Sequence, residues 1–408
     1  MPLAVHLLGL AIFAQGTSEF MLSGLLPNIA TDLGVPLSGA GLLISAFAVG
    51  MVVGAPVLAV ATLRVPRRTA LIAFQLAFAA GHVVGALAPG YGVLLATRVV
   101  SAVAYAGFWS VAAATAVSLV SQEAKGRAMS VVAMGLTLAT VVGVPAGTVL
   151  SQHAGWRTAF WAVAALTVLS ALSLRTALPA RPTTADVHQL PVLRRELNGL
   201  ARPRLWLSYL ITTLTFGAGV VTFSYLAPLL TEVTGLPAAW VPAVLALYGI
   251  GGLIGVTVGG RLADSAPLRT LAAGAALLTL ASAALARTAD DLPVTLVLVP
   301  VLGFTAYLVN PVVQSRVFRL APDAPTLVPA VNTSAFNVGI TLTPMLGGLT
   351  IDAGLGLPSV AWVGAATGLL GLAATAWAAT LERRNRPAPP PLTATPRTPV
   401  GTAGATKS

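Results

Sequence analysis

Two charged residues stand where a charge is costly and therefore informative. Glu19 lies inside the first long apolar run, and Arg98 lies about seven residues into the fourth. The chain has 12 Asp+Glu, and Glu19 is the one acid placed within a run. The others (Asp32, Glu123, Asp186, Glu196, Glu232, Asp264, Asp290, Asp291, Asp323, Asp352 and Glu382) fall between runs, at their ends or in the tail. A carboxyl in a low-dielectric interior favours its neutral form. Such a group usually faces a cavity, where it can take a proton from one side and release it to the other. The competing reading of Glu19 is a neutral acid satisfied by Thr17 and Ser18 beside it. Arg98 is too deep to be a loop charge. It either answers Glu19 as a counter-charge or snorkels to the outer interface.

Other chemistry is sparse. Cysteine is absent, and His6, His82, His153 and His188 are too scattered to form a local metal site. No paired acids lie within an apolar run, and no zinc-protease helix motif or phosphate-binding Gly-rich loop is present. The expectation is no enzyme, no metal and no cofactor, and no direct use of ATP. His82 reads either as a packing residue or as a proton relay. Gln15, Tyr105, Trp109, Asn310, Asn332, Phe336 and Asn337 offer amides and aromatic faces that suit an uncharged amphipathic solute. Asn332 and Asn337 lie about 140° apart on a helix, so both cannot point straight into one cavity. Each serves equally well as an interhelical hydrogen bond.

The elements that must carry these groups are membrane helices. The 408 residues are 56% hydrophobic and only 9% charged, against about a quarter charged in soluble domains. The mean hydropathy is +0.87. Runs of about 20 apolar residues predict twelve spans: 3–25, 39–61, 69–88, 92–119, 128–150, 158–175, 204–229, 239–261, 269–287, 293–315, 328–350 and 359–380. The first span contains Glu19 and lacks a following cleavage site, which marks it as a retained helix. With the N-terminus in the cytoplasm, 20 of the 23 Lys+Arg fall on that side. Only Arg157 and Arg287 fall outside, and Arg98 lies within a span. The positive-inside rule therefore places both termini in the cytoplasm and leaves no need for nucleic acid to explain the +11 charge.

Residues 1–175 form a first six-helix bundle in this reading, and 204–381 form a second. Residues 176–203 link them with Pro179, Pro182, Pro191 and Pro203, and 382–408 form a disordered Pro/Thr/Ala-rich tail. Within the linker, Leu193, Leu197 and Leu200 share one helical face beside Arg194 and Arg195, as in a short helix on the membrane surface. Span five carries Gly143, Pro145 and Gly147, and span eleven carries Gly339, Pro344, Gly347 and Gly348. Matched features at matched positions suggest duplicated halves, a plan common in secondary transporters.

These residues resemble the major facilitator superfamily, in particular its twelve-helix drug/proton antiporter branch. Residues 16–27, with Glu19 and Pro27, are similar to the first helix of bacterial chloramphenicol-resistance exporters and related sugar exporters. Gly135 with Gly143, Pro145 and Gly147 resembles the branch's antiporter motif, and residues 94–107 around Arg98 resemble its fourth-helix arginine motif, with Ala102 in place of the usual glycine. The family's loop motif survives in the second half as Gly260, Asp264 and Arg269. The first half keeps Arg64, Arg67 and Arg68 but lacks the acid and both glycines; those arginines can still anchor the loop to anionic headgroups.

The resemblance implies an all-α membrane protein of twelve helices in two pseudo-symmetric bundles. It implies proton coupling through Glu19 and Arg98. It implies a conformational switch at Gly135, Gly143, Pro145 and Gly147, with a charge latch at Asp264 and Arg269. The implied function is proton-coupled export of small drugs, chloramphenicol-type antibiotics first, by a monomer in the bacterial plasma membrane. A sugar or nucleoside exporter is the alternative on the same fold, and a receptor that binds without translocating is a further class.

Overall fold

The computed structural model describes residues 1–62, 65–121, 124–178, 193–263, 265–322, 324 and 327–384. Arg64, Asp264, most of the linker and the tail beyond 384 lie outside the described residues.

The first bundle comprises α1 (Leu3–Leu33), α2 (Leu37–Ala61), α3 (Arg67–Ala86), α4 (Tyr91–Ser118), α5 and α6 (Trp156–Ala177). α5 runs from Lys125–Leu138 through a widened π turn, Ala139–Gly143, into Val144–Ala154. A short helix, α7 (Leu193–Leu200), lies in the linker. The second bundle comprises α8 (Pro203–Ser224), α9 (Val241–Leu262), α10 (Pro267–Thr288), α11 (Leu292–Leu320), α12 (Leu327–Thr350) and α13 (Pro358–Arg384). Twelve helices are long and apolar enough to span a bilayer, as expected. We call the side where α1 begins and α13 ends the terminal face, and the opposite side the far face.

Most helices outrun the spans expected from sequence by a few residues, and three do so in ways that bear on prolines or charges. α1 continues past Pro27 and closes only at Gly34, whose left-handed φ of 63° ends the helix. α11 continues past the expected end at 315 to Leu320, and α13 runs past 380 to Arg384. A proline inside a membrane helix removes one backbone bond, but neighbouring helices sustain the rest, so it does not end the element. This corrects two placements. Arg316 is not a loop cation but a buried residue of α11, and Glu382 belongs to α13, not to the tail. They pair at 2.6 Å, and the Arg316 Nε also donates to the Ser208 hydroxyl at 2.9 Å. At the far face, Arg157 pairs with Asp32 and lies over Trp156, while Arg287 lies over Trp362.

Glycine sets how the helices pack within each bundle. A Cβ at Gly135 of α5 would sit 2.1 Å from the Gly9 carbonyl oxygen of α1, and one at Gly143 would sit 2.1 Å from the Thr17 hydroxyl. The second bundle repeats the device between α8 and α12. There a Cβ at Gly339 would lie 2.4 Å from the Thr213 carbonyl oxygen. Such close backbone approach is what small residues permit in lipid, where dispersion replaces the hydrophobic drive.

The bundles meet along α2 with α12 and α5 with α9. Hydrogen bonds across the seam run from Gln152 to the Ala238 carbonyl at the far face, from Ser45 to the Thr341 carbonyl, and from Ser334 to the Val52 carbonyl.

Candidate functional site

Glu19 sits at the middle of α1. It is partly exposed, whereas Phe20 through Leu26 beyond it are all buried. The carboxyl thus stays partly accessible at mid-helix, close to the seam. The Tyr105 hydroxyl of α4 comes within hydrogen-bonding reach of it. From the other bundle, the Tyr307 hydroxyl of α11 reaches Thr140 and lies within electrostatic range of both Glu19 and Tyr105. Thr140 belongs to the widened turn of α5. That turn exists because Pro145 has no N–H to offer the preceding turn, so the ladder slips and the Val144 N–H bonds the Ala139 carbonyl. The same turn meets α9, where a Cβ at Gly249 would lie 2.8 Å from the Thr140 carbonyl oxygen.

Arg98 does not form an ion pair with Glu19. Its guanidinium donates to the Ser18 hydroxyl at 2.8 Å and to the Ser18 carbonyl at 3.0 Å, and it lies 4.3 Å from the Phe47 ring centroid. The Arg98 side chain is buried, so it does not snorkel to the interface. The Ser18 hydroxyl in turn meets His82 Nε2 at 2.5 Å, and His82 Nδ1 meets the Phe78 carbonyl at 2.8 Å. A carbonyl can only accept, so Nδ1 carries the proton. Nε2 of the neutral ring then accepts from Ser18, and Ser18 accepts from Arg98. His82 is stacked on Phe78 with ring centroids 4.3 Å apart. Packing and hydrogen bonding are thus both present at His82, in one directed chain that fixes Arg98 beside Glu19.

The remaining polar candidates divide. Asn332 is fully engaged: its Oδ1 accepts from Thr212 at 3.0 Å, and its Nδ2 donates to Gln314 at 3.1 Å. It ties α12 to α8 and α11. Asn337 donates to the Thr333 carbonyl at 2.9 Å, but its buried Oδ1 has no partner. Gln15, one turn from Glu19, is buried with neither amide atom partnered among the described residues. Such orphans in a native interior point to water or ligand. Asn310 is partly exposed one turn from Tyr307.

Trp109 packs edge-on against Tyr105, and Phe336 edge-on against Phe216 at 4.7 Å. From Phe216 the rings continue through Tyr307, Tyr248 and Phe223 to Phe20 of α1, crossing the seam. Arg269 is exposed in the first turn of α10, away from this cluster. Gly135 and Gly143 face α1 directly, and a Cβ at Gly147 would lie 3.3 Å from the Met21 Cβ of α1, only slightly tighter than ordinary contact.

Sequence reasoning missed Tyr307, Tyr248, Thr140 and Phe216. Tyrosines and threonines are unremarkable inside apolar runs, and only the seam brings them to Glu19.

Comparison with known proteins adds the lineage. Residues 8–328 match the family model described as Major Facilitator Superfamily. A protein of Streptomyces lividans described as "Chloramphenicol resistance protein" is 44% identical over 370 residues, covering 91% of this chain and 94% of that one. A "Probable sugar efflux transporter" of Mannheimia succiniciproducens is 30% identical over 370 residues, covering 90% and 91%. Among solved structures, a bacterial homolog of the human lysosomal transporter Spinster, in an inward-facing and occupied conformation, superposes with a TM-score of 0.75. It is 17% identical and covers 95% of this chain and 98% of that one, a likeness of fold.

Proposed function

This chain belongs to the Major Facilitator Superfamily, and on that premise we propose that it is a proton-driven exporter of small uncharged aromatic solutes, chloramphenicol-type phenicols first. It is a transporter and not an enzyme. The observation that carries the reading is Glu19, an accessible carboxyl at mid-depth, reached by Tyr105 of its own bundle and neighboured by Tyr307 of the other. The likeness to a chloramphenicol resistance protein supports the substrate class. So do an aromatic row beside the site and the unpartnered amide atoms of Gln15 and Asn337, which suit stacking with a few hydrogen bonds.

In this mechanism Glu19 carries the proton and Arg98, held on Ser18, supplies a fixed positive charge beside it. Deprotonation creates a carboxylate that Tyr105 can hydrogen-bond and Arg98 can stabilise. Protonation cancels the attraction to Arg98 and weakens the hydrogen bond from Tyr105, which frees Glu19 from α4 and changes the charge that faces Tyr307 across the seam. Alternating access then exchanges the contacts that join α2 to α12 and α5 to α9. The bundles of residues 1–175 and 204–381 move as units, the latch assigned to Asp264 and Arg269 acts at the terminal face, and the terminal face lies in the cytoplasm of a bacterial plasma membrane. The chain acts as a monomer.

The test is chloramphenicol flux into proteoliposomes under an imposed pH gradient, with wild type and Glu19→Gln. Gradient-driven flux lost in the variant while binding persists is the expected result. Flux unchanged in the variant refutes Glu19 as carrier, and no flux in a folded wild type refutes the phenicol assignment. The likeness to a probable sugar efflux transporter favours a second reading, export of sugars, which the same vesicles test with labelled monosaccharide.

A further inference from the structure

We propose that a groove between α3 and α6 at the terminal face binds the headgroup of an anionic phospholipid. The groove, about 360 Å³, is lined by Arg68, Thr69, Ile72, Ala73 and Leu76 of α3 and by Arg175 of α6. The α3 residues recur at helical spacing on one face and form a strip from a cationic end to an apolar one. Leu76, Ala73 and Thr69 are exposed on the outside of the bundle, where an acyl chain would lie. Arg175 is exposed, and Arg68 donates to the Arg175 carbonyl at 2.7 Å. That bond caps the last turn of α6 and holds the two guanidinium groups at one end of the groove.

Among the described residues this pair has no local counter-charge. No Asp or Glu occurs in residues 33–122, which include all of α2, α3 and α4, and none occurs in α6. Among the described residues neither Arg68 nor Arg175 has an ion-pair partner. The second bundle pairs one of its terminal-face cations: Arg316 comes with Glu382 at 2.6 Å. Two adjacent, uncompensated cations above an apolar strip at the rim of a membrane protein match the amphiphilic shape of an anionic lipid. Basic pockets between helices on the cytoplasmic side recognise such headgroups. A free anion would satisfy the arginines but leave the strip unused.

Native mass spectrometry of the full chain in detergent, titrated with phosphatidylglycerol or phosphatidylcholine, tests this. Wild type retains phosphatidylglycerol in preference to phosphatidylcholine. R68Q/R175Q weakens phosphatidylglycerol binding roughly thirty-fold, from two cations at the value usual for a basic residue at an anionic surface, and leaves phosphatidylcholine unchanged. Equal retention of both lipids by wild type overturns the proposal, as does unaltered phosphatidylglycerol binding in the variant. Displacement of phosphatidylglycerol by millimolar inorganic phosphate also overturns it, because the site would then be one for a plain anion. If the glutamine variant does not elute as wild type does, R68K/R175K decides: a retained preference supports the site, and a lost one refutes it.

Discussion

Gly135→Ala and Gly147→Ala form a matched pair that separates tight packing from mere helicity. Both positions lie on α5 and face α1, and both changes add one methyl group. At 135 the new Cβ would lie 2.1 Å from the Gly9 carbonyl oxygen, a backbone atom with no rotamer to yield. Ordinary contact begins near 3.4 Å, so α5 must retreat by 3.4 − 2.1 = 1.3 Å at that point. At 147 the nearest atom is the Met21 Cβ at 3.3 Å, and a shift of a tenth of an ångström suffices. Overpacking of the first kind costs about 1–3 kcal/mol, whereas the second stays within ~0.5 kcal/mol. Thermal unfolding in detergent should show Gly135→Ala lower by several degrees and Gly147→Ala close to wild type. Because the widened turn begins only four residues beyond Gly135, proton-driven flux should fall in the first variant and persist in the second. Indistinguishable melting of the two would show that the close approach of α1 and α5 does not limit packing, and the argument from glycine would fail.

The chain from Arg98 through Ser18 to His82 makes a second contrast. His82→Gln keeps an acceptor for Ser18, whereas His82→Phe keeps the stacking on Phe78 and loses the acceptor. One hydrogen bond at about 1–1.5 kcal/mol predicts roughly tenfold slower flux in the phenylalanine variant, with the glutamine variant near wild type. The reverse order, read in the same vesicles, would assign His82 to packing alone. Tyr307→Phe removes the hydroxyl that reaches Thr140 across the seam. At about 1 kcal/mol for that contact, spin-label distances across the seam should show the joined state depopulated roughly fivefold. An unchanged distance distribution would mean the contact does not hold the bundles together.

Much of the architecture was legible because a bilayer constrains sequence so strongly. Twenty apolar residues can do little else in lipid than form a helix, so the twelve spans could be read directly. The ends were harder to read. Pro27 looks like a terminator by the rules of soluble helices, and at the ends of α11 and α13 the first charged residues look like the start of a loop, which misplaced Arg316 and Glu382. Glu19 and Arg98 stood out because a charge inside an apolar run is conspicuous. Their partners did not. Ser18, Tyr307 and Thr140 carry no charge, and Tyr307 reaches the seam from 288 positions away in the chain. Asn332 and Asn337, about 140° apart on their helix, meet different surroundings: both polar atoms of the first are partnered, by Thr212 and Gln314, and the second keeps an open oxygen.

The depth of Glu19 has an electrical consequence. It lies 16 residues from the start of α1 and 14 from its end, or roughly 24 and 21 Å at 1.5 Å per residue. A proton bound there has crossed about half of the membrane field. Moving one charge through the whole field is worth about 2.3 kcal/mol per 100 mV, so in the proposed mechanism loading and unloading Glu19 each experience ~1.2 kcal/mol of it. Voltage therefore bears on both strokes of the cycle almost equally. A carboxyl near either surface would leave one stroke blind to the membrane potential.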